Sequence, residues 1–377
     1  MARQVPAGKP IWYACCSPAL PPWHEKQQER PRMKLGIGIG YAGAKMDVPI
    51  ERIRRAEALG FDSVWTAETY SSDAMTPLAY IGALTDRIRL GTGIAQLAAR
   101  TPANMAMAAQ TIDAMCGEGR MIVGLGMSGP QIVEGWYGQP WGKPNTRMRD
   151  YVAIMKQIWK REGPVSHSGK EISLPYTGPG SSGQGKPLKS ILHGNPDIPV
   201  MLGTATPLNI RMTAEIADGW MAMHLAPDSF KTRYKAIIEE GLARRSDGKA
   251  LQDFEIRTSL SVQIVDDVKA ALDALKPMVA LYAGGMGSKS MNFHKDAMIE
   301  RGFGAAAERV QELFLAGRKD EAAAAVPDEY IDDEGLLGPP ARIKERWQAW
   351  RDSGVTSMCF LDATDEVVEL MGRIGRD

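Results

Sequence analysis

The amino-acid sequence predicts an α/β protein, a closed (β/α)8 barrel in which eight parallel strands alternate with helices. Short apolar runs alternate with segments whose apolar residues recur at helical spacing, a pattern typical of parallel sheets. The strand–helix unit recurs eight times in the 377 residues, which favours closure of the sheet into a ring. The predicted strands are residues 34–40, 63–67, 88–94, 121–123, 199–202, 220–223, 255–265 and 357–361.

A single barrel domain is predicted over residues 33–377, with an extension before it and two insertions within it. Residues 1–32 are rich in proline and charge and show neither helical nor strand period, so we expect a disordered N-terminal extension. Residues 162–197 are rich in glycine, serine and proline and are too long for an ordinary connection, which favours a functional loop or lid. The second insertion, residues 284–337, is predicted to be mainly helical.

The composition argues against several classes of partner. Lys plus Arg and Asp plus Glu number 45 each, so the net charge does not favour nucleic acid or a membrane surface. A small neutral or anionic ligand is the better expectation. The four cysteines are too scattered for a metal site or a disulfide framework, which favours a reducing, cytoplasmic compartment. No apolar run approaches the roughly 18–20 residues that span a bilayer.

Two loops that follow strands are predicted to bind an anion. The stretch RMIVGLGMSGPQIVEGWYG, residues 120–138, reads as a strand, a glycine loop and a helix that begins at Pro130. GTATP, residues 203–207, gives a second helix start, with Thr206 as the N-cap and Pro207 as the first helical residue. Backbone N–H groups at such places favour a phosphate or a carboxylate. For either loop taken alone, the alternative is an ordinary cap that satisfies its own helix.

The carboxyl ends of the strands are expected to form one pocket, because they meet at the same end of a barrel. For His224, a lone histidine at a strand end, a structural role is favoured, while His193 and His294 stay unassigned. No zinc-type spacing and no Ser/His/Asp arrangement is recognised, so no metal is predicted. The residues at or just after strand ends are Glu68, Gly93, Met127, Ser128, Thr204 and His224.

Two GxGxxG patterns offer a rival, dinucleotide-binding fold, at Gly38-Gly40-Gly43 and at Gly124-Gly126-Gly129. After the first pattern, the helix begins too late for the third glycine to pack it against the strand. After the second, no acidic residue ends a strand about 20 residues further on. Glycines 36, 38 and 40 also share one face of the first strand, which fits a crowded barrel interior, so the barrel is preferred.

The motifs FDSVWTAE (residues 61–68), RIRLGTGIAQ (87–96) and GLGMSGPQIVEGWYG (124–138) together resemble the bacterial luciferase-like superfamily. Within it, the chain most resembles the branch of oxidoreductases that use the deazaflavin coenzyme F420. The motifs VMLGTATP and AEIADGW follow in the expected order, and the resemblance extends from Met33 to the C-terminus. It implies a luciferase-like TIM barrel, bound coenzyme F420 and a homodimer.

The resemblance also implies where the coenzyme binds. The third strand is expected to bulge through a non-prolyl cis peptide bond at Gly93-Ile94 that supports the back of a flavin-like ring; the alternative is a plain trans strand ending at Thr92. The phosphate and acidic tail fall on residues 127–129 and 204–206, the loops already predicted to bind an anion. The implied cofactor-binding residues are Gly93, Ile94, Gln96, Met127, Ser128, Gly129, Gly203, Thr204, Ala205 and Thr206.

Glu68 is the catalytic candidate, because the resemblance places it where related deazaflavin enzymes carry an acidic residue beside the ring. A carboxyl group there could transfer a proton or hydrogen-bond the ring edge while a hydride moves. The alternative is an ion pair with a neighbouring arginine. Thr69 follows where some relatives have histidine, which leaves the substrate open.

The leading hypothesis is an oxidoreductase that transfers a hydride between coenzyme F420 and a small organic substrate. An FMN-dependent monooxygenase of the same superfamily is the first alternative, since its anion site would be similar. A non-catalytic barrel relative that has lost its cofactor is the second.

Overall fold

Eight parallel strands close into a ring in the computed structural model, which describes residues 32–286 and 292–375. In order around the ring they are β1 (Lys34–Gly40), β2 (Ser63–Thr66), β3 (Arg89–Thr92), β5 (Met121–Gly126), β8 (Val200–Gly203), β9 (Gly219–Met221), β10 (Glu255–Ile264) and β12 (Ser357–Leu361). The pairing of β12 with β1 completes the ring. The predicted α/β class, the (β/α)8 barrel and all eight strands are therefore confirmed.

Four short strands complete the sheets. The third predicted strand is interrupted, so β4 (Ala95–Gln96) follows β3 as a separate strand, and both pair with β5. The strand β11 (Gly335–Gly338) was not predicted, and it extends the edge of β10 beyond the segment that pairs with β9. The strands β6 (His167–Ser168) and β7 (Ser173–Leu174) form an antiparallel hairpin in the first insertion.

Helices surround the ring and fill the second insertion. Helix starts follow local chemistry: the Thr101 and Thr206 side chains accept the Asn104 and Asn209 N–H groups, and proline comes next in both cases. The helices are α1 (Ile50–Ala58), α2 (Met75–Ala83), α3 (Pro102–Cys116), α4 (Pro130–Gly135), α5 (Pro144–Lys160), α6 (Pro207–Ile216), α7 (Lys235–Leu242), α8 (Val268–Gly285), α9 (Phe293–Met298), α10 (Gly304–Leu315), α11 (Lys319–Ala324), α12 (Asp328–Asp333), α13 (Pro340–Asp352) and α14 (Asp365–Ile374).

Glycines on the strands make room for neighbouring side chains inside the barrel. A Cβ on Gly36 would lie 2.8 Å from the Trp65 Nε1 atom, and one on Gly38 would lie 2.8 Å from the Leu361 Cδ2 atom. A Cβ on Gly124 would overlap the carbonyl oxygen of Thr92. Close packing in the barrel thus accounts for glycines of both GxGxxG patterns.

An ion-pair cluster lies at the amino-terminal end of the barrel. The Glu255 carboxylate accepts from Lys34 Nζ at 2.6 Å and from Arg89 Nη2 at 3.3 Å, and Arg89 also pairs with Asp62. Burial disfavours the charged form of Glu255, but Arg89 and Lys34 outweigh this effect and lower its pKa. This cluster joins β1, β3 and β10 at the end opposite the loops that follow the strands.

The two insertions differ in structure. Apart from the β6–β7 hairpin, the described backbone of residues 162–197 is mostly irregular, as expected. The second insertion contains α9 to α12 and packs with α8 around its own cluster of buried residues, which includes Met298, Val310 and Leu337. Most of the predicted disordered extension, residues 1–32, falls outside the described residues, so that prediction and the proposed domain limits remain open. No helix in the described ranges is both long and apolar enough to cross a membrane.

Candidate active site

The break between β3 and β4 forms a floor at the carboxyl end of the barrel. The Gly93-Ile94 peptide bond is cis, as predicted. Gly93 and Ile94 are partly exposed, whereas Thr92 and Ala95 on either side are buried. A Cβ on Gly126 would come within 2.7 Å of the Ile94 side chain. The adjoining β5 strand therefore needs glycine where this bulge packs against it.

Beneath this floor lies Arg257, a buried cation that the sequence analysis did not identify. Its guanidinium carbon is 4.1 Å from the centroid of the Trp65 ring, and a Cβ on Gly93 would lie 3.6 Å from its Nη2 atom. Arg257 is only 5% exposed, and its Nε has no hydrogen-bond partner among the described residues. A buried cation with an unsatisfied donor is costly, so the site fits an electron-rich or anionic group above the floor.

The two predicted anion loops lie side by side. Gly126 at the end of β5 is in register with Gly203 at the end of β8, so residues 127–129 and 204–206 leave neighbouring strands at the same end of the barrel. Thr206 caps its own helix, which is the ordinary alternative considered from the sequence. The Thr204 hydroxyl is buried against that of Thr213, at 2.9 Å. The exposed part of the second loop begins at Ala205.

Ser128 has a backbone conformation unusual for its residue type. Its φ of +57° lies in the left-handed region, and the residue is exposed between the partly buried Met127 and Gly129. Non-glycine residues in this region cluster at ligand-binding positions. Within the described part of the chain, the Ser128 hydroxyl makes no hydrogen bond, so it is available to a ligand.

Glu68 forms the arginine ion pair that the sequence analysis considered as its alternative role. Its Oε1 accepts from Arg100 Nη1 at 2.6 Å, and its Oε2 accepts from the backbone N–H of Gln96 at 2.9 Å. The Gln96 side chain donates back to the Glu68 carbonyl at 3.0 Å. With its side chain only 3% exposed, Glu68 holds the end of β2 to β4 directly behind the floor. Its catalytic role stays a prediction.

Aromatic residues from several loops surround the mouth. The rings of Tyr70 and Trp136 are 6.4 Å apart, and both residues are exposed. The pKa of Tyr41, which follows β1, is raised first by partial burial and then by Tyr282, Tyr70 and Asp362. These residues follow β1, β2, β5 and β12 or belong to α8, so the helix on which the second insertion packs reaches the mouth.

Two histidines that the sequence did not bring together are in contact at this end. The Nε2 atom of His224, three residues past β9, is 2.8 Å from Nδ1 of His294 in α9. The only signal in the sequence was the position of His224 after a strand, because His294 is 70 residues away. No cluster of three or more metal-ligating side chains occurs among the residues that the structure describes.

Comparisons with known proteins give a consistent assignment. The family model described as luciferase-like monooxygenase matches residues 33–357. A protein of Mycobacterium tuberculosis, named "Putative coenzyme F420-dependent oxidoreductase Rv3520c", is 46% identical over 89% of this chain and 97% of its own length. The 5,10-methylenetetrahydromethanopterin reductase of Archaeoglobus fulgidus is 29% identical over 81% of this chain and 86% of its own. The solved coenzyme F420-dependent tetrahydromethanopterin reductase from Methanopyrus kandleri superposes on this chain with a TM-score of 0.72 at 24% identity. The superposition covers 91% of this chain and 98% of that structure.

Fold and site together define a (β/α)8-barrel protein that presents a bulged strand and two glycine-containing loops at one mouth. The chain belongs to the luciferase-like family, and within it to the branch of the F420-dependent oxidoreductases. The predicted family and the predicted enzyme class, an oxidoreductase, are confirmed.

Proposed function

We propose that this protein binds coenzyme F420 over the Gly93-Ile94 floor and exchanges a hydride between it and a small organic substrate. The observation that carries the proposal is the floor itself: the partly exposed Gly93 and Ile94 above the buried cation Arg257. The names of the relatives supply the identity of the coenzyme. When bound, a deazaflavin supplies two-electron hydride chemistry, and the protein supplies position and electrostatics.

In this proposal the residues around the floor divide into two groups. Gly93 and Ile94 support the ring, and Gln96 fixes the floor from behind through its bonds to Glu68. The tail, with its phosphate, lies on the neighbouring loops, where backbone N–H groups and the free Ser128 hydroxyl can donate to it. The proposed tail contacts are Met127, Ser128, Gly129, Gly203, Thr204, Ala205 and Thr206.

Glu68 enters the proposal as the acidic residue beside the ring. A role in proton transfer requires its carboxylate to exchange the Arg100 contact for a substrate or ring contact. In the geometry described above, Glu68 positions the floor. We therefore expect its removal to slow hydride transfer through misplacement of the ring, since displacement of a reacting group by about 1 Å can cost roughly a hundredfold in rate.

The test is a titration of the purified protein with coenzyme F420 and, separately, with FMN, followed by absorbance and fluorescence. We expect F420 to bind. Ser128→Ala should weaken that binding by about tenfold or more, the usual effect of losing a hydrogen bond to a charged group. Glu68→Gln should mainly slow turnover. Ser246→Ala is a matched control, since exposed Ser246 follows α7 at the opposite end of the barrel. Unchanged binding and turnover in both site variants would contradict the proposed location.

A flavin monooxygenase is the second candidate, favoured by the description of the family model. It predicts tight binding of FMN, no binding of F420, and oxygen uptake by the reduced complex. Failure to bind either cofactor would instead support the non-catalytic alternative.

A further inference from the structure

His224 and His294 belong to a hydrogen-bonded chain of four side chains. The His224 Nε2 atom contacts His294 Nδ1 at 2.8 Å, and its Nδ1 atom contacts Glu334 Oε2 at 3.2 Å. The other oxygen of Glu334 pairs with Arg301, which also donates to the Tyr330 carbonyl at 3.1 Å. Both nitrogens of His224 are thus engaged, and an arginine anchors the acidic end of the chain.

This chain lies at the mouth. Met221, the last residue of β9, reaches the floor, since a Cβ on Gly93 would lie 3.3 Å from its Cε. His224 is three residues further on, and three residues span at most about 10 Å. Glu334 precedes β11, which continues the β10 edge next to β9. His294 packs on Tyr282, with ring centroids 4.7 Å apart, and Tyr282 in turn neighbours Tyr41 beyond β1.

The backbone at His224 is unusual as well. Its φ of +54° lies in the left-handed region, which is unfavourable for a residue other than glycine. Such conformations persist where the surrounding contacts determine them, and they cluster at functional sites.

The two histidines differ in how they hold protons. Burial, and then the neighbouring His224, lower the pKa of His294 to about 3, so its ring is neutral near pH 7 and carries one proton, on Nδ1 or Nε2. When His224 is neutral and donates from Nδ1 to Glu334, its Nε2 accepts from His294 Nδ1, which leaves His294 Nε2 as an acceptor. When His224 is protonated, its Nε2 donates to His294 Nδ1, and His294 Nε2 carries the proton.

We propose that His294, His224 and Glu334 form a proton relay in which His294 Nε2 exchanges a proton with the substrate oxygen or nitrogen next to the hydride-exchanging carbon. This inference rests on the proposed function and narrows the substrate to a C=O/CH–OH or C=N/CH–NH pair. In the described ranges, His294 Nε2 makes no hydrogen bond. His294 is then the catalytic residue, while His224 and Glu334 are positioning residues.

The step balances in the reducing direction. The substrate carbon gains a hydride from the reduced deazaflavin, which is oxidised, and the C=O or C=N double bond becomes single. The substrate oxygen or nitrogen takes the proton of His294 Nε2, and the Nδ1 atom of His294 takes the proton of His224 Nε2. His224 ends neutral beside Glu334, and solvent protonates it for the next cycle.

Nitrogen NMR of the full-length protein labelled in its histidines tests the relay without any coenzyme. The sequence has five histidines, so single substitutions assign the spectrum. We expect His294 to stay neutral while its proton moves from Nδ1 to Nε2 as His224 becomes protonated. A single His294 tautomer throughout the titration of His224 would overturn the relay. Tyr282 and Glu334 contact the histidine pair, and the titratable or charged groups around its Glu334 end are Tyr234, Arg301, Tyr330 and Asp333.

The variant Glu334→Gln tests the tautomer change of His294 in a second way. Loss of the carboxylate 3.2 Å from His224 Nδ1 removes the acceptor that fixes the His224 tautomer, so the midpoint of the His294 tautomer change should move. His193→Asn is the matched control, because exposed His193 lies outside the chain and should leave the midpoint unchanged. An unchanged midpoint in Glu334→Gln would remove Glu334 from the relay and overturn the proposal as stated.

Kinetics separate this inference from the proposed function. We expect His294→Gln to keep its affinity for F420 within about twofold while turnover falls by roughly 10²–10⁴-fold, the usual contribution of a general acid. Cyclohexanone and its imine serve as probes, with cyclohexanol in the reverse direction. If the wild type fails to bind F420, the proposed function fails, whereas the tautomer titration still decides whether the relay exists. Turnover unchanged in His294→Gln, or a relay confirmed by NMR with neither probe reduced, would overturn the assigned substrate step.

Discussion

Arg257 supplies the buried positive charge of the candidate site. It lies under the floor with Trp65 against its guanidinium and an unpartnered Nε, and it forms no ion pair with any described acid. A buried charge without an ion-pair partner does not stabilise a fold. In the proposed complex, its charge would stabilise negative charge that develops on a ring bound above Gly93.

We therefore expect Arg257→Leu to weaken binding of reduced F420 more than binding of oxidised F420. The ratio of the two dissociation constants should change by about tenfold. Arg257→Lys should preserve most of the preference, because it keeps the charge. Fluorescence titration of the oxidised form and anaerobic titration of the reduced form measure both affinities. Thermal unfolding is the control, since removal of an unpaired buried charge should leave the melting temperature unchanged or raise it. Equal losses for the two redox forms would contradict an electrostatic role.

Single residues also show the limits of the sequence analysis. Glu68 could be placed at the end of the second strand, because the apolar run before it is plain. Its partner Arg100 could not be identified, because the two residues are 32 positions apart and meet only through the β3–β4 break. The same holds for His224 and His294, which come from a strand end and a distant insertion.

At the scale of elements, the floor depends on how β4 and β5 fit together. Ile94 projects toward β5 and β8, and the strand residues that it meets are Gly126 and Gly203. The sequence predicted an anion-binding loop after the fourth predicted strand, now β5. Glycines were assigned to that loop or to the crowded interior of the barrel. Their contact with Ile94 could not be foreseen, since it arises from the bulge. The bulge in the third strand was expected from the family resemblance, whereas the extra strand β11 is a product of packing between distant segments.

Gly126→Ala should damage this fit. The new Cβ would lie 2.7 Å from the Ile94 Cδ1 and Cγ1 atoms, so the side chain or the bulge must move. We expect a loss of about 1–3 kcal/mol in the free energy of unfolding, typical of overpacking, together with weaker F420 binding. Urea unfolding measures the free energy of unfolding, and fluorescence titration measures F420 binding.

Gly135→Ala in α4 is the control, because nothing lies within 4 Å of its Cβ position and stability should stay equal or rise. A similar result for both variants would show that Ile94 tolerates the extra methyl group.

For the molecule as a whole, the barrel separates two tasks between its ends. The carboxyl end carries the floor, the loops and the histidine pair, while the amino end carries the ion-pair cluster around Glu255. The alternation of eight strands and helices made this division predictable, because (β/α)8 barrels bind ligands at the carboxyl end. The cluster itself was not predicted, since Lys34, Arg89 and Glu255 look like ordinary charged residues flanking or beginning strands.

The free energy of unfolding should therefore depend on the ion pairs at the amino end. Its change with pH should reflect the protonation of Glu255. The pKa of Glu255 is lowered in the folded protein, so its stabilising effect is complete above its usual value of about 4.5 and is lost as the pH falls through the folded pKa. Glu255→Gln should lower the free energy of unfolding at pH 7 by about 2–3 kcal/mol, below the roughly 3–5 kcal/mol of a fully buried pair because Arg89 keeps Asp62. Urea unfolding at pH 7 and at stepwise lower pH should show the difference between wild type and variant shrinking below about pH 4.5.

Glu51→Gln, which removes an exposed helix pair with Arg54, should change stability by less than about 1 kcal/mol at any pH. A constant difference for Glu255→Gln across this range would mean that its charge does not stabilise the barrel.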